Sequence, residues 1–182
     1  VLKNDGTIVA FGNNNMEQCN VPEGLNDVQS ICCGSCHTVA LKNDGTIVAF
    51  GDNTYGQCDV PKGLNNVRSV ACGSYHSVVS KNDGTIVAFG NNCFGQCTIP
   101  EGLNDICDVV CGQLYTIVLK NDETIVAFGY NDFRQCDVPE GLNDVQSVVC
   151  GAYNTIVVKN DGTVIAFGNN TYGQCNIPAN LR

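Results

Sequence analysis

Apolar residues along this chain come in bursts of four or five, separated by stretches rich in Asn, Asp, Gly and Gln. Two neighbouring bursts, HTVALK at residues 37–42 and TIVAF at residues 46–50, are short, β-branched and parted by Asn-Asp-Gly. That dipeptide Asp-Gly is a tight-turn signal, so the pair predicts a β-hairpin. A third strand is predicted over residues 67–73 (VRSVACG), and a weaker fourth over residues 57–61 (QCDVP), where proline ends it. The strands do not alternate apolar with polar. Ile47 and Ala49 point to one side of the pleat and Val48 and Phe50 to the other, and all four are apolar. Both faces of such a sheet must be covered.

The bursts keep strict time. The lysine closing the first strand of each hairpin falls at Lys3, Lys42, Lys81, Lys120 and Lys159, a constant step of 39 residues, so about 4.7 copies fill the 182 residues. A fixed period of this size marks a solenoid, propeller or array, in which no unit buries its apolar surface alone. The chain reads as one domain, residues 1–182, with units starting near 3, 42, 81, 120 and 159. A one-sided meander leaves an apolar face in water. Sheets stacked radially cover both faces of each other. The expectation is therefore all-β, a β-propeller of four-stranded blades, with a parallel β-helix as the second choice.

The recurring pattern V-x-C-G-x-x-H-[TS]-x-x-x-K-x-D-G-T-[IV]-x-x-[FW]-G-x-N-x-x-G-Q resembles the regulator-of-chromosome-condensation repeat, and it runs through the whole chain in register. The linker G-Q-C-[DN]-V-P-x-G-L is similar to that of the compact bacterial branch, which includes a secreted propeller that inhibits β-lactamases. The resemblance implies seven four-stranded blades in a closed ring. Seven units of 39 residues exceed this chain, so a fragment is expected, or a smaller, open or partner-completed ring. The start at Val1, in mid-repeat and without methionine, points the same way. Unpaired blade edges invite association.

Two departures bear on the turns. Glu123 stands where Gly6, Gly45, Gly84 and Gly162 stand, and costs on the order of 1 kcal/mol if the site needs positive φ. Asn180 replaces the glycine of Gly24, Gly63, Gly102 and Gly141. Asparagine tolerates that conformation next best.

Thirteen cysteines suggest a disulfide framework or a metal site, with CCGSCH at residues 32–37 the obvious candidate. The register explains most of them. Cys33, Cys72, Cys111 and Cys150 are one position, and Cys19, Cys58, Cys97, Cys136 and Cys175 another, expected as small buried side chains repeated once per blade. Cys32, Cys36, Cys93 and Cys107 are off-register. Zinc at Cys32, Cys36 and His37 is not expected, because Cys32 and Cys33 must face opposite sides of a strand. Disulfides, including cross-blade ones, stay open, although an odd total leaves a free thiol. Reduced core thiols are favoured, hence an intracellular or particle-associated setting. His37 and His76 share their register with Tyr115 and Asn154, which speaks against catalysis and for a hydrogen-bonding role at a strand start.

Composition narrows the partners. With 43% hydrophobic and 15% charged residues the chain is globular, and no apolar run is long enough to span a bilayer. The charge of −9, with no basic run, disfavours nucleic acid, whose phosphates need lysine and arginine, and fits a basic protein partner better. No catalytic group, cofactor or metal motif survives the register.

Function then falls to the positions that vary between units. The first set follows each C-G: Ser35, Cys36, His37; Ser74, Tyr75, His76; Gln113, Leu114, Tyr115; Ala152, Tyr153, Asn154. The second includes Met16, Tyr55, Phe94, Phe133 and Tyr172, which could anchor a partner or pack between blades. The first set is the expected binding surface of a non-enzymatic protein-interaction scaffold. One alternative is a building block of a large assembly such as a viral particle. Another, implied by the resemblance, is a nucleotide-exchange factor for a small GTPase, though the inserted wedge of that activity has no counterpart in these equal-length units. The ultraviolet-B photoreceptor of the same family uses a tryptophan cluster, and this chain has no tryptophan.

Overall fold

The computed structural model describes residues 1–179, so Asn180 lies outside the described residues. It contains twelve strands in four antiparallel sheets of three. Blade one holds β1 (Val28–Cys33), β2 (His37–Lys42) and β3 (Ile47–Gly51). Blade two holds β4 (Val67–Cys72), β5 (His76–Lys81) and β6 (Ile86–Gly90). Blade three holds β7 (Ile106–Cys111), β8 (Tyr115–Lys120) and β9 (Ile125–Gly129). Blade four holds β10 (Val145–Cys150), β11 (Asn154–Lys159) and β12 (Val164–Gly168). Before β1 the single bridge Leu2–Ile8 marks one more hairpin, and the sheets do not close into a ring.

The fourth strand expected at residues 57–61 does not form. Its backbone is taken up locally: the Cys58 N–H donates to Asn53 Oδ1 at 2.8 Å, Asp59 N–H to Gly56 O and Val60 N–H to Cys58 O. A segment whose donors are already satisfied in turns has none left for a ladder. Each blade is consequently three strands wide.

The apolar-on-both-faces pattern has the effect expected of it. The middle strands β2, β5 and β8 are buried over five successive residues. Burying a valine such as Val39, Val78 or Val118 contributes about 1.5–3 kcal/mol. Clusters run between blades: Val39, Leu41, Val67 and Val79 join blades one and two, Val78, Ile106 and Val118 join two and three, and Ile117, Val145 and Val157 join three and four. The first strands β1, β4, β7 and β10 lie side by side at the axis. There a chain of backbone bonds runs from blade to blade: Ser35 N–H to Ser74 O (3.3 Å), Ser74 N–H to Gln113 O (2.9 Å) and Gln113 N–H to Ala152 O (3.1 Å).

The blades have two unlike rims. On one, the Lys-Asn-Asp-Gly-Thr hairpins use their own side chains. Asp44 Oδ1 accepts from the Thr46 N–H (2.9 Å) and hydroxyl (2.6 Å), and Lys42 Nζ pairs with Asp44 at 3.3 Å. The turn glycine is left-handed, with Gly45 at φ 77°, and Glu123 holds the same conformation at φ 62°. The other rim carries the variable loops.

Candidate functional site

The variable rim is built on a buried polar belt. His37 Nε2 lies 3.0 Å from Ser77 Oγ of the next blade, and His76 Nε2 lies 3.1 Å from Thr116 Oγ1. Those hydroxyls already donate onward, Ser77 to Gln57 O at 2.8 Å and Thr116 to Gln96 O at 2.9 Å. A hydroxyl has one hydrogen, so each imidazole must be the donor, protonated on Nε2. Nδ1 of both rings is then a buried acceptor with no partner in the structure. Burial holds both histidines well below their usual range, at about 4. In blade three Tyr115 does the same work, its hydroxyl donating to Asn154 O at 2.6 Å, while Thr155 reaches Gln135 O at 3.0 Å. Close approach explains the glycine before each turn: a Cβ on Gly34 would sit 2.4 Å from the Gly73 carbonyl oxygen.

This geometry divides the first predicted set. His37, His76, Tyr115 and Ser74 are buried and join blades, so they offer nothing to a partner. Ser35, Gln113 and Ala152 carry the axial backbone bonds and, with Cys33, Cys72 and Cys111, line a cavity of about 340 Å³. Asn154 stands in the His37 register on blade four and is half-buried. Cys36, Tyr75, Leu114 and Tyr153 remain at the rim, each half-buried.

The structure brings these last residues together with the second set. The Tyr55 ring meets Tyr75 of the next blade at 5.4 Å between centroids, and Phe133 meets Tyr153 at 5.2 Å. The loops that carry Tyr55, Phe94 and Phe133 are each pinned from beneath by a buried glutamine. Gln57 Oε1 accepts from the Tyr55 N–H (2.9 Å), and its Nε2 donates to Asp52 Oδ2 (2.9 Å). Gln96 holds the Phe94 N–H and Asn91 in the same way. With the backbone so held, the aromatic side chain stands outward, and Tyr55, Phe94 and Phe133 are between 40 and 50% exposed.

Blade three breaks the pattern at a residue the periodicity did not single out. Tyr130 stands where Asn13, Asp52, Asn91 and Asn169 stand. Gln135 therefore loses its acceptor, and its Nε2 is buried without a partner. The Tyr130 ring instead contacts Phe94 (4.9 Å), Tyr153 (5.8 Å) and Phe133 (6.1 Å), joining the loops of three blades into one aromatic patch. The signal was available in the sequence as the one aromatic among five otherwise Asn or Asp positions.

The cysteines are free thiols throughout. The expectation that the nine in-register cysteines are buried needs correction: Cys33 is exposed and the other eight are half-buried, and Cys33, Cys72, Cys111 and Cys150 border the open axis. Those after the glutamine cap the loop. Cys58 Sγ lies 3.4 Å from Asp52 O and Cys97 Sγ 3.3 Å from Asn91 O. Burial raises both thiols to about 11, which keeps them protonated and unreactive. Among the described residues no group of three or more His, Cys, Asp or Glu is placed to hold a metal, and no helix is long and apolar enough to cross a membrane.

Three segments, residues 28–57, 67–96 and 145–174, match the family model of the regulator of chromosome condensation (RCC1) repeat. No curated protein matches the chain. Solved structures do. Prp20p from Saccharomyces cerevisiae, described with its binding to Gsp1p and histones, is 19% identical with a TM-score of 0.70, over 81% of this chain and 46% of that one. The ectodomain of the receptor kinase CR4 from Physcomitrella patens is 22% identical with a TM-score of 0.74, over 92% and 48%. Human WBSCR16 is 20% identical with a TM-score of 0.72, over 91% and 58%. At such identities the likeness is one of fold, and the chain spans about half the length of these structures.

Proposed function

Given that this chain is a propeller array of RCC1 repeats, we propose that it is a protein-binding module whose contact surface is the aromatic loop rim. The observation that carries this reading is the continuous patch of Phe94, Tyr130, Phe133 and Tyr153, extended by Tyr55 with Tyr75 and, in register, by Leu114. Partly exposed aromatics held on rigid backbone are the usual anchors of protein interfaces, since little side-chain entropy is lost on binding. The patch is set in an acidic frame. Glu17, Asp52, Asp59, Asp132 and Asp137 lie in three of the five copies of this loop, and Arg134 is the only base in any of them. A partner offering apolar side chains within a basic surface fits that frame, and the charge speeds encounter more than it strengthens the complex. The yeast neighbour described with Gsp1p and histones supports a protein partner without naming one for this chain.

The test is a screen of a displayed protein library against the intact protein, the double variant Tyr130→Asn/Phe133→Ala, and Lys62→Glu on the hairpin rim. Partners of the intact protein are expected to be basic, to be lost with the double variant and to be kept by Lys62→Glu. Binding that survives the double variant would place the contact surface elsewhere. Accelerated nucleotide release from a small GTPase would replace a passive module with an exchange factor.

A further inference from the structure

We propose that Cys32 and Cys72 form a modification site, a dithiol that a hydroperoxide oxidises to a disulfide tying blade one to blade two. Cys32 is the off-register cysteine of its strand: its counterparts in the next three blades are Ala71, Val110 and Val149. That register faces the following blade, and the register of Cys72 faces the preceding one. Ala71 and Cys111 pack in the same cluster between blades two and three, and Val110 and Cys150 in the cluster between blades three and four. Cys72 packs in the cluster between blades one and two. At that interface alone the small apolar partner is replaced by a second thiol.

The two strands that carry these cysteines approach closely. β1 and β4 run side by side at the axis, Ser35 N–H bonds Ser74 O at 3.3 Å, and Gly34 nearly touches the Gly73 carbonyl. The Cys72 side chain first, and then the Cys72 and Cys33 backbone N–H groups, favour the Cys32 thiolate against its burial. These contacts lower Cys32 to about 7, whereas Cys72 is pushed well above the usual thiol range, first by Cys32 and then by burial. Of the two, Cys32 is the nucleophile and Cys72 the resolving thiol.

The chemistry closes without a further reagent. The Cys32 thiolate attacks one oxygen of the hydroperoxide ROOH and the O–O bond breaks. The alkoxide that leaves takes the proton Cys32 gave up, which yields ROH and a sulfenic acid on Cys32. The Cys72 sulfur then attacks the Cys32 sulfur, the S–S bond forms, and hydroxide leaves with the Cys72 proton as water. Two thiols are oxidised and one hydroperoxide is reduced by the same two electrons.

The experiment is limited oxidation of the intact protein with one equivalent of hydrogen peroxide, followed by alkylation under denaturing conditions and peptide mapping. A 32–72 disulfide is expected, with the other thiols alkylated, and a higher melting temperature than the reduced protein. Cys32→Ala, which copies the alanine of the second interface, should fold with an unchanged reduced melting temperature and lose the peroxide-dependent rise. Ala71→Cys should create a second oxidisable pair with Cys111. Oxidation confined to the exposed Cys33 and Cys93, with Cys32 and Cys72 both alkylated, would overturn the proposal. So would a peroxide-dependent rise that survives in Cys32→Ala, or an Ala71→Cys protein that forms no 71–111 bond.

Discussion

Blade two and blade three have the same strands in the same register, and four of their differences bear on the belt, the turns and the aromatic rim. Blade two has His76, Gly84, Asn91 and Gly95, whereas blade three has Tyr115, Glu123, Tyr130 and Arg134. It is also blade three, residues 106–135, that the repeat family's pattern leaves unmatched. Three of the four changes carry a local cost. Glu123 (φ 62°) and Arg134 (φ 61°) occupy left-handed positions that glycine holds in blade two, and Tyr130 strips Gln135 of its acceptor. What blade three gains is the ring that fuses the aromatics of neighbouring loops. Strain and an unsatisfied donor beside an exposed aromatic patch fit the contact surface proposed above.

That contrast can be broken most strongly at the belt both blades share. Replacing His76 by alanine empties a fully buried site and removes the donor to the Thr116 hydroxyl, and a loss of about 2–4 kcal/mol is expected in urea unfolding. Tyr115→Ala should cost at least as much, since its ring fills the same place against Gly112.

Acid separates belt from hairpin rim by pH. His37 and His76 titrate near 4 in the folded protein, below the usual 6.5, so between those values the unfolded chain holds protons the folded one lacks. Stability should therefore fall as pH drops from 6.5 to 4, by on the order of 1 kcal/mol per pH unit for each histidine. The hairpin aspartates Asp44, Asp83 and Asp122, lowered to about 2 chiefly by their threonine and lysine hydrogen bonds, contribute fully above the usual carboxylate range. Their share should be lost only as pH falls from about 4 towards 2. Equilibrium unfolding at a series of pH values, with Tyr115 leaving blade three without a titrating belt residue, reads both windows.

A smaller effect distinguishes the rims themselves. Tyr130→Asn should give Gln135 the acceptor that Asn91 gives Gln96, raising stability by about 1 kcal/mol while weakening partner binding. A gain in melting temperature without loss of binding would mean the ring is structural only. Least of all, Glu123→Gly should relieve the left-handed strain by at most about 1 kcal/mol, offset by the lost Asn160–Glu123 hydrogen bond of 3.0 Å.

Much of this was legible in the residues. The 39-residue step, the hairpin at residues 37–51 and the third strand near residue 67 follow from period, turn dipeptides and β-branched runs, because those are local preferences repeated five times. The strand proposed at residues 57–61 failed because its fate depended on where the Asn53 side chain would reach. The candidate site was legible in part. Variation between units marked turns that hold both kinds of residue, and variation alone does not tell a buried belt residue such as His37 from a rim residue such as Tyr75, one position away.

The sequence by itself determined the unit: which residues pair, where the chain turns, and that both sheet faces need cover. Only the tertiary structure decided what each unit presents to the next, because those relations join residues about 40 positions apart on different blades. His37 meets Ser77, Tyr115 meets Asn154, and Phe94 meets Tyr130 through stacking geometry that no single repeat contains. A repeat encodes its own hydrogen bonds; its neighbours' positions follow from how buried surfaces fit together.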